Sequence, residues 1–281
     1  MKIALSAEST IDMPKELLEK YKISTVPFTV VLGDDTFLDG EMPISKIFDY
    51  VKSSGKLPKT SAVNQVQYEE HFTKLLKDND AIIHFSLSSE FSSAYSNAVM
   101  ASKEFDGKVF VIDSRSLSTG IALLAINARK LIDKGFSPME IVKNIEARIP
   151  FNQASFILKR VDYLYKGGRC NMLQLLGANL LKLRPQIIVK DGKMKSGSKY
   201  RGNMESATIK YVEETLKEFN TPDLEEVFIT YTTAEPELVE KIRQILISKG
   251  FKNIHETHAG ATVTSHCGEN CLGILYINDA K

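Results

Sequence analysis

The sequence is short of net charge, of cysteine and of long apolar runs. Its 281 residues carry a formal net charge of +1, and lysine and arginine are spread along the chain rather than clustered in the basic stripe that a nucleic-acid-binding surface needs. No run approaches the roughly 20 apolar residues of a membrane-spanning helix, and residues 1–10 turn polar too early for a secretory signal. Three cysteines, Cys170, Cys267 and Cys271, are too sparse for a disulfide framework. We therefore expect a cytoplasmic protein that binds no nucleic acid.

Several signature motifs are missing as well. The chain has no Gly-x-Gly-x-x-Gly after a strand and no Gly-x-x-x-x-Gly-Lys-Ser/Thr loop, so nucleotide binding lacks its usual phosphate cradle. The Gly-x-Ser-x-Gly elbow of many serine hydrolases is also missing. His266, Cys267 and Cys271 resemble half of a zinc site, but structural zinc takes four ligands and no second pair follows. We expect neither a metal nor a cofactor.

Apolar runs and amphipathic stretches alternate over the first half of the chain. The apolar runs predict buried strands at 3–5, 81–85 and 109–112. The amphipathic stretches predict helices at 14–22, 66–77 and 116–134. Because strands that alternate with helices are typical of a parallel sheet covered on both faces, we expect an α/β arrangement here.

The pattern changes near residue 150. The remaining segments predict strands at 154–158, 186–189, 227–231, 261–265 and 273–277, and helices at 206–219 and 236–249. Asp191 and Gly192 form the Asp-Gly signal of a hairpin turn. We therefore predict two domains. Residues 1–150 form an N-terminal α/β domain with a mostly parallel sheet and flanking helices, and residues 151–281 form a C-terminal α+β domain with a mixed or antiparallel sheet.

Hydroxyl side chains are concentrated where the predicted strands end. The clusters lie at residues 6–10, 86–94 and 113–116, and a fourth precedes a predicted helix at 59–61. Roughly two thirds of these hydroxyls are expected to cap helices, which serine, threonine and aspartate do readily. One cap needs one hydroxyl, however, and residues 86–93 contain five serines. The surplus predicts a site for a small anion, a carboxylate or a phosphate, at the carboxyl ends of the strands.

Four single residues have a functional and a plainer interpretation. Ser92 and His266 are possible partners as nucleophile and base, although nothing in the sequence shows that they meet. Arg169 and Arg201 each stand beside a predicted turn, where an arginine is most often solvated. The functional alternative for both arginines is contact with an anionic head group, a membrane surface or a partner protein.

A series of motifs along nearly the whole chain resembles the DegV family. Residues 9–14 (Ser-Thr-Ile-Asp-Met-Pro) are similar to the family's Ser-Thr-x-Asp-Leu/Met/Val-Pro opening, and residues 59–61 (Lys-Thr-Ser) are similar to the start of its Thr-Ser-Gln-Pro motif. Residues 88–95 resemble its Ser-Ser-x-Leu-Ser-Gly-Thr-Tyr motif, and 163–169 and 201–202 match later blocks. Each block is weak alone, but their order and spacing together are specific.

The resemblance implies a two-domain protein with a lipid tunnel between or beneath the domains. Hydroxyls hold the carboxylate of a long-chain fatty acid in such proteins. Carried over to this sequence, the carboxylate-binding residues are Thr60 or its neighbour Ser61, Ser92, Ser93 and His266. Arg169 and Arg201 map onto basic positions that serve a partner or the membrane surface.

The resemblance also implies a non-catalytic role. The protein binds the fatty acid and presents the carboxylate to a separate ATP-dependent fatty acid kinase, which feeds phospholipid synthesis. Two alternatives remain open at this point, a hydrolase of acyl or phosphate esters that uses Ser92 and His266, and a binder of another small amphiphile.

Two departures from the family pattern put the head-group contacts in question. Ser93 and Ala94 replace the family's Gly-Thr, which moves one hydroxyl a residue earlier. Glu269 and Asn270 replace Pro-Gly after Gly268. An ionised Glu269 would repel a nearby carboxylate unless its side chain points away.

Overall fold

The computed structural model describes residues 1–170 and 183–279. Its strands are β1 (Ile3–Glu8), β2 (Ile23–Val26), β3 (Thr29–Leu32), β4 (Asp35–Leu38), β5 (Lys59–Ser61), β6 (Ala81–Ser86), β7 (Val109–Asp113), β8 (Asn152–Ile157), β9 (Leu183–Lys190), β10 (Lys193–Arg201), β11 (Glu226–Tyr231), β12 (Asn253–His258) and β13 (Leu272–Ile277). Its α-helices are α1 (Lys15–Tyr21), α2 (Ser45–Ser54), α3 (Gln65–Leu76), α4 (Ala94–Ser102), α5 (Thr119–Asp133), α6 (Pro138–Arg148), α7 (Asp162–Lys166), α8 (Met204–Glu218), α9 (Pro236–Ser248) and α10 (Ala261–Cys267).

The first sheet is parallel throughout, in the order β2-β1-β6-β7. Helices α3 and α4 pack together and contact β6, and α5 and α6 pack together and contact it as well. All six residues of β6 are buried, so helices cover both faces of the sheet. This arrangement confirms the predicted α/β fold of the first half, and it aligns the carboxyl ends of β1, β6 and β7 along one edge.

The second sheet is mixed, in the order β10-β9-β8-β13-β11-β12. Strands β11 and β12 are parallel and connected through α9, and every other neighbouring pair is antiparallel. The predicted hairpin joins β9 to β10. Asp191 and Gly192 hold φ values of 56° and 77°, which a tight hairpin turn of this kind requires. The predicted mixed α+β architecture of the second half is confirmed.

Helix α5 lies between the two sheets. It contacts β1 and β6 of the first sheet and β8, β11 and β13 of the second. Nine of its residues are buried, among them Gly120 and three alanines, whose small side chains let strands approach on both sides. One hydrophobic cluster includes residues from both sheets. Because this cluster joins the two sheets, the division into domains at residue 150 stays a prediction. The first strand of the second sheet, β8, begins at Asn152, close to the predicted boundary.

A third, small sheet was not predicted. Its order is β4-β3-β5, antiparallel, and both β3 and β5 contact α10. Strands β4 and β5 are short and mostly polar, so the sequence carries no alternation of apolar residues that would reveal them. The sheet positions Thr60 and Ser61, which lie in β5.

The predicted strand at 261–265 is wrong, because these residues form helix α10. The run Ala-Thr-Val-Thr-Ser is rich in β-branched residues, which favour strands. Asp12 and Asp39, however, accept hydrogen bonds from the backbone N–H groups of Gly260 and Ala261 at the helix N-terminus. These long-range contacts satisfy N–H groups at the helix N-terminus that have no partner within the helix.

Helix α5 also begins later than predicted, at Thr119 instead of residue 116. Ser118 holds a φ of 51°, which is incompatible with a preceding helical turn. In the part of the chain that the structure describes, no helix is long and apolar enough to cross a membrane.

The Asp12 contact gives a testable pH dependence. Burial, together with nearby Asp39, raises the pKa of Asp12 to about 8, while the unfolded chain has a value of about 3.9. The folded protein therefore binds an extra proton between these values, and the free energy of unfolding should fall as pH rises from 4 through 8. In Asp12→Asn this pH dependence should be weaker. In Asp12→Ala the free energy of unfolding should be lower by about 1–3 kcal/mol at every pH. Urea unfolding at pH 6 and pH 9 measures both effects. Equal slopes in wild type and Asp12→Asn would contradict the assignment.

Candidate functional site

A cavity of about 330 Å³ lies against α10 and the carboxyl ends of β1 and β6. Its polar wall consists of Thr10, Thr60, Ser61, Ser92, Ser93, Arg169, Thr262 and His266. Its apolar wall consists of Phe28, Ala62, Leu87, Phe91, Leu117, Leu164, Met194, Val263 and Cys267. The volume falls at the lower end of the range of about 300–1,000 Å³ typical of small-molecule sites. The polar wall and the apolar wall are the polar and the apolar residues of this lining, and a lining of both kinds suits an amphiphile.

All five residues predicted to bind a carboxylate lie on this cavity. Thr60 and Ser61 come from β5, Ser92 and Ser93 immediately precede α4, and His266 comes from α10. Thr60 is held by antiparallel pairing with Val30 of β3. The fold thus brings together side chains that are up to 206 positions apart in the sequence.

His266 is anchored on one side of the cavity. Its Nε2 lies 2.9 Å from the Thr60 hydroxyl oxygen. Its Nδ1 is buried and has no hydrogen-bond partner among the described residues. Gly167 permits this position, since a Cβ there would lie 2.6 Å from Nδ1. Burial, with a smaller effect of Arg169, lowers the pKa of His266 to about 4. The ring is therefore neutral near pH 7.

Two further hydroxyls were missed as site residues. Thr10 and Thr262 are almost fully buried, line the cavity and have hydroxyl oxygens without a hydrogen-bond partner in residues 1–170 and 183–279. An unsatisfied buried hydroxyl costs about 1–3 kcal/mol, which a polar ligand group would recover. Thr10 follows β1 in one of the hydroxyl-rich clusters, so its position in the sequence could have identified it as a site residue. Thr262 lay in the segment wrongly predicted as a strand.

The two arginines occupy different places. Arg169 lines the cavity beside His266, and its guanidinium donates to the carbonyl oxygens of Phe91 and Gly167 at 3.4 and 2.5 Å. Arg201 is exposed at the end of β10. Because strands rise about 3.3 Å per residue, it lies roughly 20 Å from Met194, the residue of β10 that reaches the cavity. Arg169 is therefore placed to meet a ligand, and Arg201 is not. A partner or membrane contact of either residue stays a prediction.

The two departures from the family pattern have clear local consequences. Ser93 is exposed at the cavity mouth, and the Ser92 hydroxyl accepts a hydrogen bond from the Ala94 backbone N–H at 3.1 Å. Glu269 does not line the cavity, and its carboxylate lies 3.8 Å from Lys159 Nζ. Glu269 therefore points away, and the repulsion considered from the sequence does not arise.

The hydrolase alternative finds no support in these contacts. His266 Nε2 is bonded to Thr60, and no hydrogen bond between the described residues joins it to Ser92. An imidazole with a pKa of about 4 is also a weak general base. In the described ranges, 1–170 and 183–279, no three His, Cys, Asp or Glu side chains converge as metal ligands would.

Comparisons with known proteins agree with this geometry. A family model described as "Uncharacterised protein, DegV family" matches residues 2–279. The chain is 30% identical to a protein of Thermotoga maritima described as a fatty acid-binding protein, over 97% of this chain and 96% of that one.

Solved structures show the same fold. A fatty-acid-binding DegV family protein from Thermus thermophilus has a TM-score of 0.90 and 25% identity, covering 99% of this chain and 100% of that one. The fatty acid kinase B3 protein of Streptococcus pneumoniae, loaded with linoleic acid, has a TM-score of 0.85 over 99% of this chain and 100% of that one. At 20% identity, the second likeness shows a shared fold. The match of the family model from residue 2 to residue 279 establishes that the chain belongs to the DegV family.

Proposed function

We propose that this protein binds a long-chain fatty acid and holds its carboxylate at the polar wall of the cavity. The observation that carries the proposal is one cavity whose lining combines apolar side chains with hydroxyls, an imidazole and a guanidinium, and in which the buried hydroxyls of Thr10 and Thr262 have no partner among the described residues. The description of the Thermotoga relative as a fatty acid-binding protein supports the same ligand class.

The expected affinity depends on both walls. Burying about 14 methylenes gives a gross gain of roughly 11 kcal/mol at about 0.8 kcal/mol each. Association and ordering cost roughly 4–15 kcal/mol, so burial of the chain alone leaves little net affinity. Hydrogen bonds to a charged group contribute about 1.5–3 kcal/mol each. Head-group contacts from Thr60, Ser61, Ser92 and Ser93 are therefore needed, and they also fix which end of the ligand lies at the polar wall.

The charges on the polar wall favour a carboxylate. Arg169 supplies the positive charge of its guanidinium group. His266 is neutral in the empty site, so it adds a polar ring without a second permanent charge. A bound carboxylate favours the protonated imidazole and raises its pKa. The protonation of His266 thus depends on whether the bound ligand carries a negative charge.

The second part of the proposal concerns the fate of the head group. Ser61 and Ser93 are exposed at the cavity mouth, so a carboxylate beside them is within reach of a partner. We propose that a separate ATP-dependent kinase, in the cytoplasm, transfers a phosphoryl group to this carboxylate and forms an acyl phosphate. In this scheme the DegV protein contributes position and no bond-making group. Arg201 is the candidate for contact with the kinase or with a membrane surface.

The hydroxyl contacts are tested by paired alanine substitutions. Thr60→Ala with Ser92→Ala removes two hydroxyls of the polar wall, and fatty acid affinity should fall roughly 100-fold. Ser102→Ala with Ser248→Ala is the matched control, since each hydroxyl bonds a carbonyl oxygen of its own helix and neither residue lines the cavity. Titration with palmitate measures both variants. Unchanged affinity in the Thr60 and Ser92 variant would exclude these residues as the head-group site.

Proton linkage tests the role of His266. Because a bound carboxylate raises the pKa of His266 from about 4, wild type should take up a fraction of a proton on binding at pH 6. Calorimetry in buffers of different ionisation enthalpy gives the number of protons. His266→Gln should abolish the uptake, and His258→Gln, at an exposed position of β12, should not. Uptake that persists in His266→Gln would place the titrating group elsewhere.

The two arginines should separate in function. Arg169→Ala should weaken palmitate binding about tenfold, because it removes the guanidinium beside His266. Arg201→Ala should leave palmitate binding unchanged and lower only the kinase-dependent turnover. Affinity and turnover measured on both variants test this separation, and equal loss of affinity in the two would contradict it.

A further inference from the structure

A fully buried carboxylate lies directly behind the cavity wall. Glu8, at the end of β1, has no exposed surface. Its Oε1 accepts hydrogen bonds from the Tyr68 hydroxyl at 2.6 Å, from His84 Nε2 at 3.0 Å and from the Ser86 hydroxyl at 2.8 Å. Its Oε2 accepts a hydrogen bond from the Leu87 backbone N–H at 2.8 Å. Four donors thus converge on one side chain.

The network continues away from the cavity. The Ser6 hydroxyl lies 2.9 Å from His84 Nδ1 and 2.8 Å from His71 Nε2, so it bridges the two rings. Burial, helped by nearby His84, lowers the pKa of His71 to about 4, and this ring is neutral near pH 7. Burial alone would raise the pKa of Glu8, but His84 and the other donors outweigh it and the pKa lies below its usual value.

The geometry requires a carboxylate and not an amide. A carboxylate offers about four acceptor positions and no donor, which matches the four donors around Glu8. An amide of the same shape would turn its NH₂ group toward at least one of them. A buried donor that faces another donor loses its hydrogen bond and is left without a partner.

Two of the four donors belong to the loop that carries the predicted head-group hydroxyls. Ser86 and Leu87 begin this loop, and Leu87 lines the cavity. A turn follows in which the Phe91 N–H donates to the Ser88 carbonyl oxygen at 2.9 Å. The next residues are Ser92 and Ser93. The start of the loop that carries these hydroxyls is therefore held by contacts to Glu8.

We propose that Glu8 is a positioning residue for the head-group site, holding loop 86–93 so that its hydroxyls meet a ligand carboxylate. This inference rests on the proposed fatty acid binding and deepens it. It assigns recognition of the carboxylate, rather than burial of the acyl chain, to a residue that does not touch the ligand.

The chain contains a matched control for a purely structural role. Glu226, at the start of β11, is also buried and accepts hydrogen bonds from His255 Nε2 and Lys130 Nζ, both at 2.8 Å. It belongs to the second sheet and does not line the cavity. Glu226→Gln therefore disturbs a similar buried carboxylate–histidine pair without touching loop 86–93.

The test compares two ligands that differ only in the head group, palmitate and 1-hexadecanol. In Glu8→Gln, the dissociation constant for palmitate should rise about tenfold while that for 1-hexadecanol changes less than about threefold. Glu226→Gln should lower the urea midpoint and change neither constant. Wild-type affinity for palmitate in Glu8→Gln, or equal losses for both ligands, would overturn the inference.

A second variant covers the case in which Glu8→Gln does not fold. Ser86→Ala removes one donor from the loop and leaves the carboxylate, so a loss of about three- to fivefold for palmitate alone is expected. No loss in Ser86→Ala would overturn the inference. If wild type itself bound neither ligand, the proposed function would fail, whereas normal wild-type binding with unaffected variants would reject only the role of Glu8.

Discussion

The site depends on how the N-terminus of α10 is held. Asp12 accepts a hydrogen bond from Gly260 N–H at 2.8 Å, and Asp39 accepts one from Ala261 N–H at 2.7 Å. The two carboxylates come from the N-terminal part of the chain, and the helix they hold comes from its far end. This contact brings His266 within hydrogen-bond distance of Thr60 and closes one side of the cavity. Without these two hydrogen bonds, the β-branched residues of α10 would favour a strand over a helix.

The remaining walls are held by a different set of contacts around loop 86–93. Glu8 holds the start of the loop through the Leu87 backbone N–H. The tip of the β9–β10 hairpin holds the loop at Ser88, whose hydroxyl donates to the Gly192 carbonyl oxygen. Arg115 strengthens the same junction through the Asp191 carbonyl oxygen. The proposed head-group site combines parts of both sheets, so the packing of the two halves of the chain determines its shape.

Much of the fold could be predicted from the sequence, because it is encoded locally. Apolar runs revealed β1, β6 and β7, and Asp191-Gly192 revealed the hairpin. Hydroxyls at strand ends indicated an anion site, and the motif resemblance named five residues that the structure places on one cavity.

The features that were missed depend on long-range contacts. Helix α10 is stabilised by carboxylates more than 200 positions away, and the β4-β3-β5 sheet has no apolar alternation. The sequence left an anionic head group, a membrane surface and a partner open as contacts of Arg169, since nothing in its local sequence shows that α7 packs against α10. That the Thr262 hydroxyl has no partner among the described residues becomes visible only when the surrounding atoms are in place.

Mass spectrometry of the purified protein, first under native and then under denaturing conditions, tests the central claim most directly. We expect the native spectrum to show an added mass close to that of one long-chain fatty acid, which is released on denaturation and identified after extraction. A protein that shows only its own mass, before and after incubation with a panel of fatty acids, would contradict it.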